Sequence, residues 1–238
     1  MFHIIILGKS RCYFEDIIEY IKLYSENTTE SFGYEEDKIN LLFGVHEVCK
    51  EFYPYLPKNI LIFNTEQLDY YNEWTTKNYI SVLKNYPVID YCKYNQEWIK
   101  DNLKINTKLF KFDKPLNKYS TDKSIRDIDI LFYGTYTERR KEIYEDLKNY
   151  FGDKLNIVFR FELWGDEKTE LINRSKIILN LIRYDTKLFQ IVRVFPLLYT
   201  DRIIISEECI DQDDYKELKD VIFTDNIIDS IKCLPSLS

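Results

Sequence analysis

Short apolar runs rich in β-branched residues alternate along this chain with longer segments of helical periodicity. In the first half the runs lie at residues 4–7, 39–43, 60–63, 88–91 and 108–110, and the helical patterns lie at 14–24, 66–83 and 96–103. Short apolar runs that are separated by helical segments are typical of buried parallel strands, because crossover helices cover both faces of a parallel sheet. The alternation therefore predicts an α/β fold.

The pattern stops in a polar stretch, residues 113–127, and then starts again. Beyond it we predict strands at 128–133, 155–161, 176–181, 202–205 and 221–223, with helices at 138–150 and 188–199. Loss of hydrophobic periodicity over such a stretch is typical of a linker. We therefore predict an N-terminal domain at 1–118, a linker at 119–127 and a C-terminal domain at 128–238, with a Rossmann-like fold in both domains.

The composition is that of a globular protein and limits its partners. A hydrophobic content of 45% in 238 residues can fill two small cores. The net charge of -7 argues against an extended nucleic-acid surface, although a small anionic ligand can still bind in a local basic pocket. The abundant tyrosine and phenylalanine leave room for an aromatic homodimer interface.

The cysteines and the hydropathy indicate a cytoplasmic protein. The cysteines are scattered without a C-x-x-C pair, which favours reduced thiols. No apolar run approaches the ~20 residues of a membrane span, so we expect no transmembrane segment. The abundance of Lys, Asn, Ile and Tyr is typical of an AT-rich genome such as a viral one, and the compartment is then the host cytoplasm.

Sequence motifs for phosphate loops, metals and dinucleotide cofactors are incomplete. Gly8-Lys9-Ser10 follows a strand but lacks the upstream glycine and the loop that wraps a phosphate. His46 and Glu47 lack the second histidine of a zinc helix, because position 50 is lysine. No G-x-G-x-x-G follows a strand. We therefore expect neither a bound metal nor a redox cofactor.

Two strand ends in the second half carry candidate ligand-binding residues. The strand at 128–133 ends on Gly134 and Thr135, and the next helix carries Arg139 and Arg140 in its first turn. A glycine allows close approach of a ligand to the backbone, and a helix N-terminus with arginines can hold a diphosphate. The alternative is that Gly134 makes a turn and that the arginines are solvated.

The second strand end is that of the strand at 176–181. The polar residues that follow it can face one crevice outside the carboxyl end of the sheet; they are Asn180, Arg183, Tyr184, Lys187, Gln190 and Arg193. Arg193 lies three residues after Gln190 and hence on the same helical face. The alternative is a surface turn followed by a helix that contributes only an apolar core stripe.

Taken in order, these motifs resemble the GT-B glycosyltransferases. The second half reads Trp164-Gly165, Leu179-Asn180-Leu181, Phe189-Gln190-Ile191-Val192-Arg193 and Ser206-Glu207, and the first half reads Phe63-Asn64-Thr65-Glu66, Trp74 and Asn95. The similarity is to the group whose second domain carries a Phe-Glu-x-x-Arg and Ser-Glu signature after a Leu-Asn-Leu strand. It covers residues 59–208 and depends on the order and separation of short motifs.

The resemblance implies a cleft between two Rossmann-like domains and a metal-independent transfer. A nucleotide-sugar donor would bind the second domain, and a glycan, lipid-linked or protein acceptor would approach from the first. By position, Gly134 and Thr135 would approach the diphosphate with help from Arg139, and Arg193 would support its helix or the phosphate. The other implied binding residues are Trp164, Gly165, Asn180, Arg183, Tyr184, Phe189 and Gln190.

Two departures from the family pattern stand out. Gln190 replaces the glutamate that binds ribose hydroxyls, and it can accept a hydroxyl proton only through its carbonyl oxygen. Position 198 is Leu198, where retaining relatives place a second glutamate, so the stereochemical outcome stays open. The chain is also short for this architecture, and we expect the closing C-terminal helices to be missing.

An inverting transfer needs a base near the acceptor hydroxyl, and Glu66 and Asp90 are the predicted candidates. Both lie at or just beyond the ends of predicted strands. Glu66 can instead favour a helix dipole after an N-cap at Thr65, and Asp90 can cap or pair with Lys93. The sequence leaves a rival open, which is a catalytically degenerate GT-B protein that binds a nucleotide or a partner enzyme.

Overall fold

The structure is a computed structural model that describes residues 1–8, 11–48, 50–69, 75–183 and 187–234. The chain divides into two compact units, Met1–Leu116 and Asn117–Ser238. Each unit contains a sheet whose described strand pairs are parallel, with six strands in the first sheet and five in the second. The predicted α/β fold with Rossmann-like units is confirmed.

The first unit begins with a strand and alternates strands with helices. Its elements are β1 (Phe2–Ile6), α1 (Arg11–Tyr24), β2 (Thr29–Glu30), β3 (Ile39–Phe43), β4 (Ile60–Asn64), α2 (Lys77–Asn85), β5 (Val88–Asp90), α3 (Lys93–Leu103) and β6 (Lys108–Leu109). The strand order is β2-β1-β3-β4-β5-β6. In α1 the buried residues Phe14, Ile17, Ile18 and Ile21 form one stripe at helical spacing, which explains why this helix could be predicted.

The predicted helix at 66–83 is shorter in the structure. It begins only at Lys77, where the Thr76 side chain accepts the backbone N–H of Tyr79 as an N-cap. Upstream, the Leu68 N–H donates to Oδ1 of Asn95 at 2.9 Å. A backbone donor that is bonded to a distant side chain is not available for a helical turn, and residues 65–69 are irregular. Trp74 lies outside the described residues.

The second unit repeats the alternation of strands and helices. Its elements are β7 (Ile128–Gly134), α4 (Glu138–Phe151), β8 (Ile157–Phe161), α5 (Gly165–Asn173), β9 (Ser175–Asn180), α6 (Ile191–Val194), β10 (Ile203–Glu207), β11 (Val221–Thr224) and α7 (Ile227–Lys232). The strand order is β11-β10-β9-β7-β8. One core face packs against α4 and α7, with buried Phe132, Leu147, Leu179 and Ile231 among its members.

The predicted helix at 188–199 is also shorter, because two side chains interrupt it. The Phe189 N–H donates to Oδ1 of Asp211 at 2.8 Å, so the helix starts later, at Ile191. Pro196 lies in the 3-10 turn Phe195–Leu197 that follows α6, and a proline supplies no N–H for a longer helix. The two-residue β2 and the helix α5 were not predicted from the sequence. The first turn of α5 carries Asp166 and Glu167, and so its apolar periodicity is weak.

Candidate functional site

The second sheet reverses its strand order between β7 and β9. Chain connections leave these neighbouring strands in opposite directions, because β8 lies beyond β7 and β10 lies beyond β9. In open α/β sheets such a reversal opens a crevice outside the carboxyl ends of the strands, and ligands bind there. The loops at this crevice carry the predicted residues Gly134, Thr135, Asn180 and Arg183.

Arg140 joins the two loops of the crevice. Its side chain is fully buried, and its Nη1 donates to the carbonyl oxygen of Thr135 at 2.8 Å and to the Thr135 hydroxyl at 3.0 Å. Its Nη2 donates to the carbonyl oxygen of Leu181, directly after β9. The guanidinium lies over the Phe132 ring, 5.1 Å from the centroid. Sequence reasoning noted Arg140 only as a first-turn cation and missed this contact.

Arg193 approaches the crevice from α6 with its charge unbalanced. Its guanidinium lies 5.7 Å from the ring centroid of Phe132 and 5.5 Å from that of Tyr133. Nη1 is buried and has no hydrogen-bond partner within the described chain, which also provides no carboxylate at ion-pair distance. Burial lowers the pKa of Arg193, because the charged form loses its hydration.

Gly134 leaves the space that Arg193 occupies. A Cβ atom at position 134 would lie 2.5 Å from Nη2 of Arg193 and 3.2 Å from Cζ of Phe132. Any larger residue at the end of β7 would therefore displace the guanidinium. Gly134 and Arg193, which the sequence analysis placed in one site, therefore lie next to each other. The guanidinium of Arg193 lies at the end of β7.

A cavity of about 490 Å³ opens beside α4 at the same edge of the sheet. Among the predicted residues, Arg139, Arg183 and Lys187 line it, together with Glu207 and with Asp225 after β11. Arg139 forms an ion pair with Glu207 and donates to the carbonyl oxygen of Ile182 at 3.2 Å. The other oxygen of Glu207 accepts the Ile182 N–H at 2.6 Å. The cavity therefore presents carboxylates as well as cations, and one of its arginines already has an internal counter-ion.

Gln190 lies directly before α6. Its carbonyl oxygen accepts the backbone N–H of Arg193 at 2.9 Å, whereas its side-chain amide forms no hydrogen bond with any described residue. Among the described residues, none uses the hydrogen-bonding groups of this amide. Trp164 and Gly165 begin α5, and Gly165 has a φ of 61°, which favours glycine.

Two predicted binding residues are parts of the fold. Phe189 is buried, and its ring packs 4.7 Å from that of Tyr215 and 5.1 Å from that of Phe223. Asn180 is buried at the end of β9 and donates to the Ser206 hydroxyl at 2.9 Å. Neither side chain offers a surface to a ligand in this conformation. Tyr184 lies outside the described residues.

The predicted base Asp90 is completely buried in the first unit. Its carboxylate accepts hydrogen bonds from Nδ2 of Asn64 at 2.6 Å, from the Cys92 N–H at 2.8 Å and from Nδ2 of Asn95 at 3.2 Å. Burial raises the pKa of Asp90 to about 7, although the three hydrogen bonds oppose that shift. A carboxylate enclosed in this way fixes the ends of β4 and β5 and cannot reach a substrate hydroxyl.

Glu66, the other predicted base, lies beside a histidine that sequence reasoning had considered only as a zinc ligand. Nε2 of His46 is 3.3 Å from Oε1 of Glu66. The two residues follow β3 and β4, which are adjacent in the sheet, so strand-end reasoning could have paired them. Burial lowers the pKa of His46, which favours the neutral imidazole. Glu66 thus remains the more accessible of the two predicted carboxylates.

No protein-family model matches the chain, and no curated protein matches it. Within the described ranges, no group of three or more His, Cys, Asp or Glu side chains could hold a metal ion. In the same ranges, no helix combines the length and the apolar character needed to cross a bilayer.

Proposed function

We propose that the protein is a cytosolic GT-B-type glycosyltransferase that moves a sugar from a nucleotide-sugar donor to a glycan, lipid-linked or protein acceptor without a required metal. The donor would bind at the carboxyl edge of the second sheet. The observation that carries the proposal is the guanidinium of Arg193, which is shielded from water and has neither a carboxylate nor a full set of hydrogen bonds within the described residues. An anion beside Gly134 would supply the missing negative charge and would accept the missing hydrogen bonds.

A diphosphate suits this position for electrostatic reasons. Its charge grows as the bond to the sugar breaks, and a fixed cation in a partly dry site stabilises that charge without reorganisation. Arg183 lines the neighbouring cavity and would contact the part of a donor that extends into it. The side-chain amide of Gln190, which has no hydrogen bond to a described residue, would accept a hydrogen bond from a ribose hydroxyl through its carbonyl oxygen.

Glu66 is the base that we propose for an inverting transfer. Its contact with the largely buried ring of His46 would orient its carboxylate, and a neutral imidazole at this distance can share the abstracted proton. Asp90 is not part of this proposal, because its side chain is enclosed by the fold.

The second candidate function is binding without transfer. It is favoured by the ion pair between Arg139 and Glu207, which neutralises one arginine expected at the diphosphate. The replacement of glutamate by Gln190 at the ribose position supports the same interpretation. Such a protein would bind a nucleotide or a partner enzyme.

Arg193→Met tests the donor site. We expect uridine, guanosine or adenosine diphosphate to raise the melting temperature of the wild type, and we expect the variant to bind the same nucleotide about ten-fold more weakly, since one charge-assisted contact is lost. The variant's own melting temperature should be unchanged or higher, because methionine replaces a partly buried cation among aromatic rings. Calorimetric titration measures the affinity.

Lys154→Met is the matched control, because it removes one positive charge from an exposed turn of the same unit. It should leave nucleotide affinity within about two-fold. An equal loss in both variants, or no stabilisation of the wild type by any of these nucleotides, would overturn the proposed site. Transfer or hydrolysis of a nucleotide sugar by the wild type would then separate the enzyme from the binding protein.

Gly134→Ala tests the same site from the strand side. The new methyl group would push Nη2 of Arg193 away and would be strained at the φ of 156°, so we expect nucleotide affinity to fall about five-fold and the free energy of unfolding to fall by about 1–3 kcal/mol. Gly33→Ala is the control, because nothing lies within 4 Å of the added Cβ. Unchanged affinity in Gly134→Ala would mean that the position of the guanidinium does not matter for binding.

A further inference from the structure

A second cavity, of about 530 Å³, opens at the amino ends of β9, β10 and β11. This is the opposite edge of the sheet from the proposed donor site. Its lining includes only two carboxylates but five cationic side chains, namely Lys123, Arg126, Lys176, Arg202 and Lys219. The whole chain carries a net charge of -7, so this concentration of positive charge runs against the overall balance.

The two arginines of this cavity are buried and are bonded to backbone carbonyls. Arg126 and Arg202 are 8% and 1% exposed. Arg126 donates to the carbonyl oxygens of Asp201 at 3.0 Å and Thr200 at 2.9 Å. Arg202 donates to the carbonyl oxygen of Ile172 at 2.8 Å. Within the described residues neither guanidinium has a carboxylate at ion-pair distance, so several N–H groups are bonded to carbonyl oxygens while no adjacent carboxylate balances the charge.

The lack of a counter-ion affects both groups. The pKa of Arg202 is lowered to about 10, chiefly by burial and also by the nearby charge of Arg126. Burial also lowers the pKa of Arg126, and its Nε is enclosed without a hydrogen-bond partner in the described chain. Two like charges held out of water are stabilised by any anion that binds beside them.

The lysines surround this pair at the surface. Nζ of Lys176 lies 2.7 Å from Oδ1 of Asp129, and Nζ of Lys123 lies 3.8 Å from Oδ2 of Asp201 in an exposed pair. Lys219 is exposed and forms no ion pair with a described residue. The cavity thus has buried guanidiniums in its wall and ammonium groups on long side chains at its rim, and both groups are good ligands for phosphate oxygens.

We propose that this cavity is a second ligand site, which binds a small phosphorylated molecule carrying at least two negative charges. The volume falls in the range of small-molecule pockets. A concave site favours a small molecule over a nucleic acid, which needs an extended basic stripe. The inference does not depend on the proposed transferase activity, because it concerns different residues at the opposite edge of the sheet.

Titration with inorganic pyrophosphate tests the site. The Arg193→Met protein is used as the background, so that the donor site contributes little. We expect saturable binding at low ionic strength, weakened by salt, and about ten-fold weaker binding after Lys123→Gln and Lys219→Gln are combined. Hydrogen exchange should slow at residues 120–126 and 200–203 when pyrophosphate is added.

The matched control combines Lys141→Gln and Lys216→Gln, which removes two exposed cations with surface partners from the same unit. It should bind pyrophosphate within about two-fold of the background protein. An equal loss in both doubles would show general electrostatic attraction and would overturn the proposal. Absence of binding would do the same, and so would tighter binding of a single-stranded oligonucleotide than of pyrophosphate.

Discussion

Replacing Arg140 by methionine is expected to lower the free energy of unfolding of the second unit by about 3 kcal/mol. A buried arginine is often no more stable than an apolar residue of similar size, but here its partners are part of the backbone. The carbonyl oxygens of Thr135 and Leu181 would stay enclosed and lose their donors. Urea unfolding measures the loss, and hydrogen exchange of β7 and β9 locates it.

The neighbouring residue provides the control. Arg139→Met removes a cation from the same helical turn, but that side chain is about half exposed, and its loss should cost less than about 1 kcal/mol. Arg140→Lys keeps the positive charge but lacks the planar guanidinium. Its loss in free energy of unfolding should lie between those of Arg140→Met and Arg139→Met. If Arg140→Met unfolds at the same urea concentration as Arg139→Met, the two loops of the crevice are held together by other contacts.

Strands could be predicted more accurately than helix ends, and the first unit shows why. The predicted strand at 39–43 has the same bounds as β3, because its apolar run lies in the centre of a parallel sheet. The start of α2 depends on side chains that are distant in sequence, because the N–H of Leu68 donates to the side chain of Asn95 and not to a helical carbonyl oxygen. The local hydrophobic periodicity of a segment does not reveal a contact with a residue so far along the chain.

The sequence was sufficient to locate the candidate site, but it did not assign a role to each of its residues. Strand-end reasoning placed Gly134 and Arg193 in one site, because carboxyl ends of parallel strands share an edge. The resemblance gave Arg139 an assisting role at the diphosphate, whereas the structure pairs Arg139 with Glu207 and buries Arg140. Which of two adjacent arginines faces the core depends on the rotation of α4 against the sheet. Packing fixes that rotation, and the spacing of the arginines does not.

Burial of Phe189 has a similar origin. The Phe-x-x-x-Arg pattern places this ring next to Gln190, but its neighbours Tyr215 and Phe223 come from the segment after β10 and from β11. The ring therefore packs in a cluster formed by residues far along the chain. A short motif can match the residue order of a known binding site even though one of its residues packs in the hydrophobic core.

Asp90 should make the stability of the protein depend on pH in a way that Asp90→Asn abolishes. The folded state holds this proton up to about pH 7, whereas the unfolded chain releases it near its ordinary pKa of 3.8. The folded state therefore binds more protons between these values, and stability falls as pH rises. Relative to the variant, the wild type should lose roughly 4 kcal/mol across this window, at about 1.4 kcal/mol for each pKa unit.

Urea unfolding of wild type and Asp90→Asn at several pH values between about 4 and 8 measures the difference, and other titrating groups cancel in it. Asp101→Asn is the control, because that carboxylate lies on the exposed face of α3 and stays hydrated in both states. Asparagine is neutral at every pH, as the protonated acid is, so the stability of the variant should lack the change that Asp90 causes across this window. A difference that stays constant with pH would mean that the carboxyl group is ionised in the folded state throughout, and the expected rise of its pKa would be wrong.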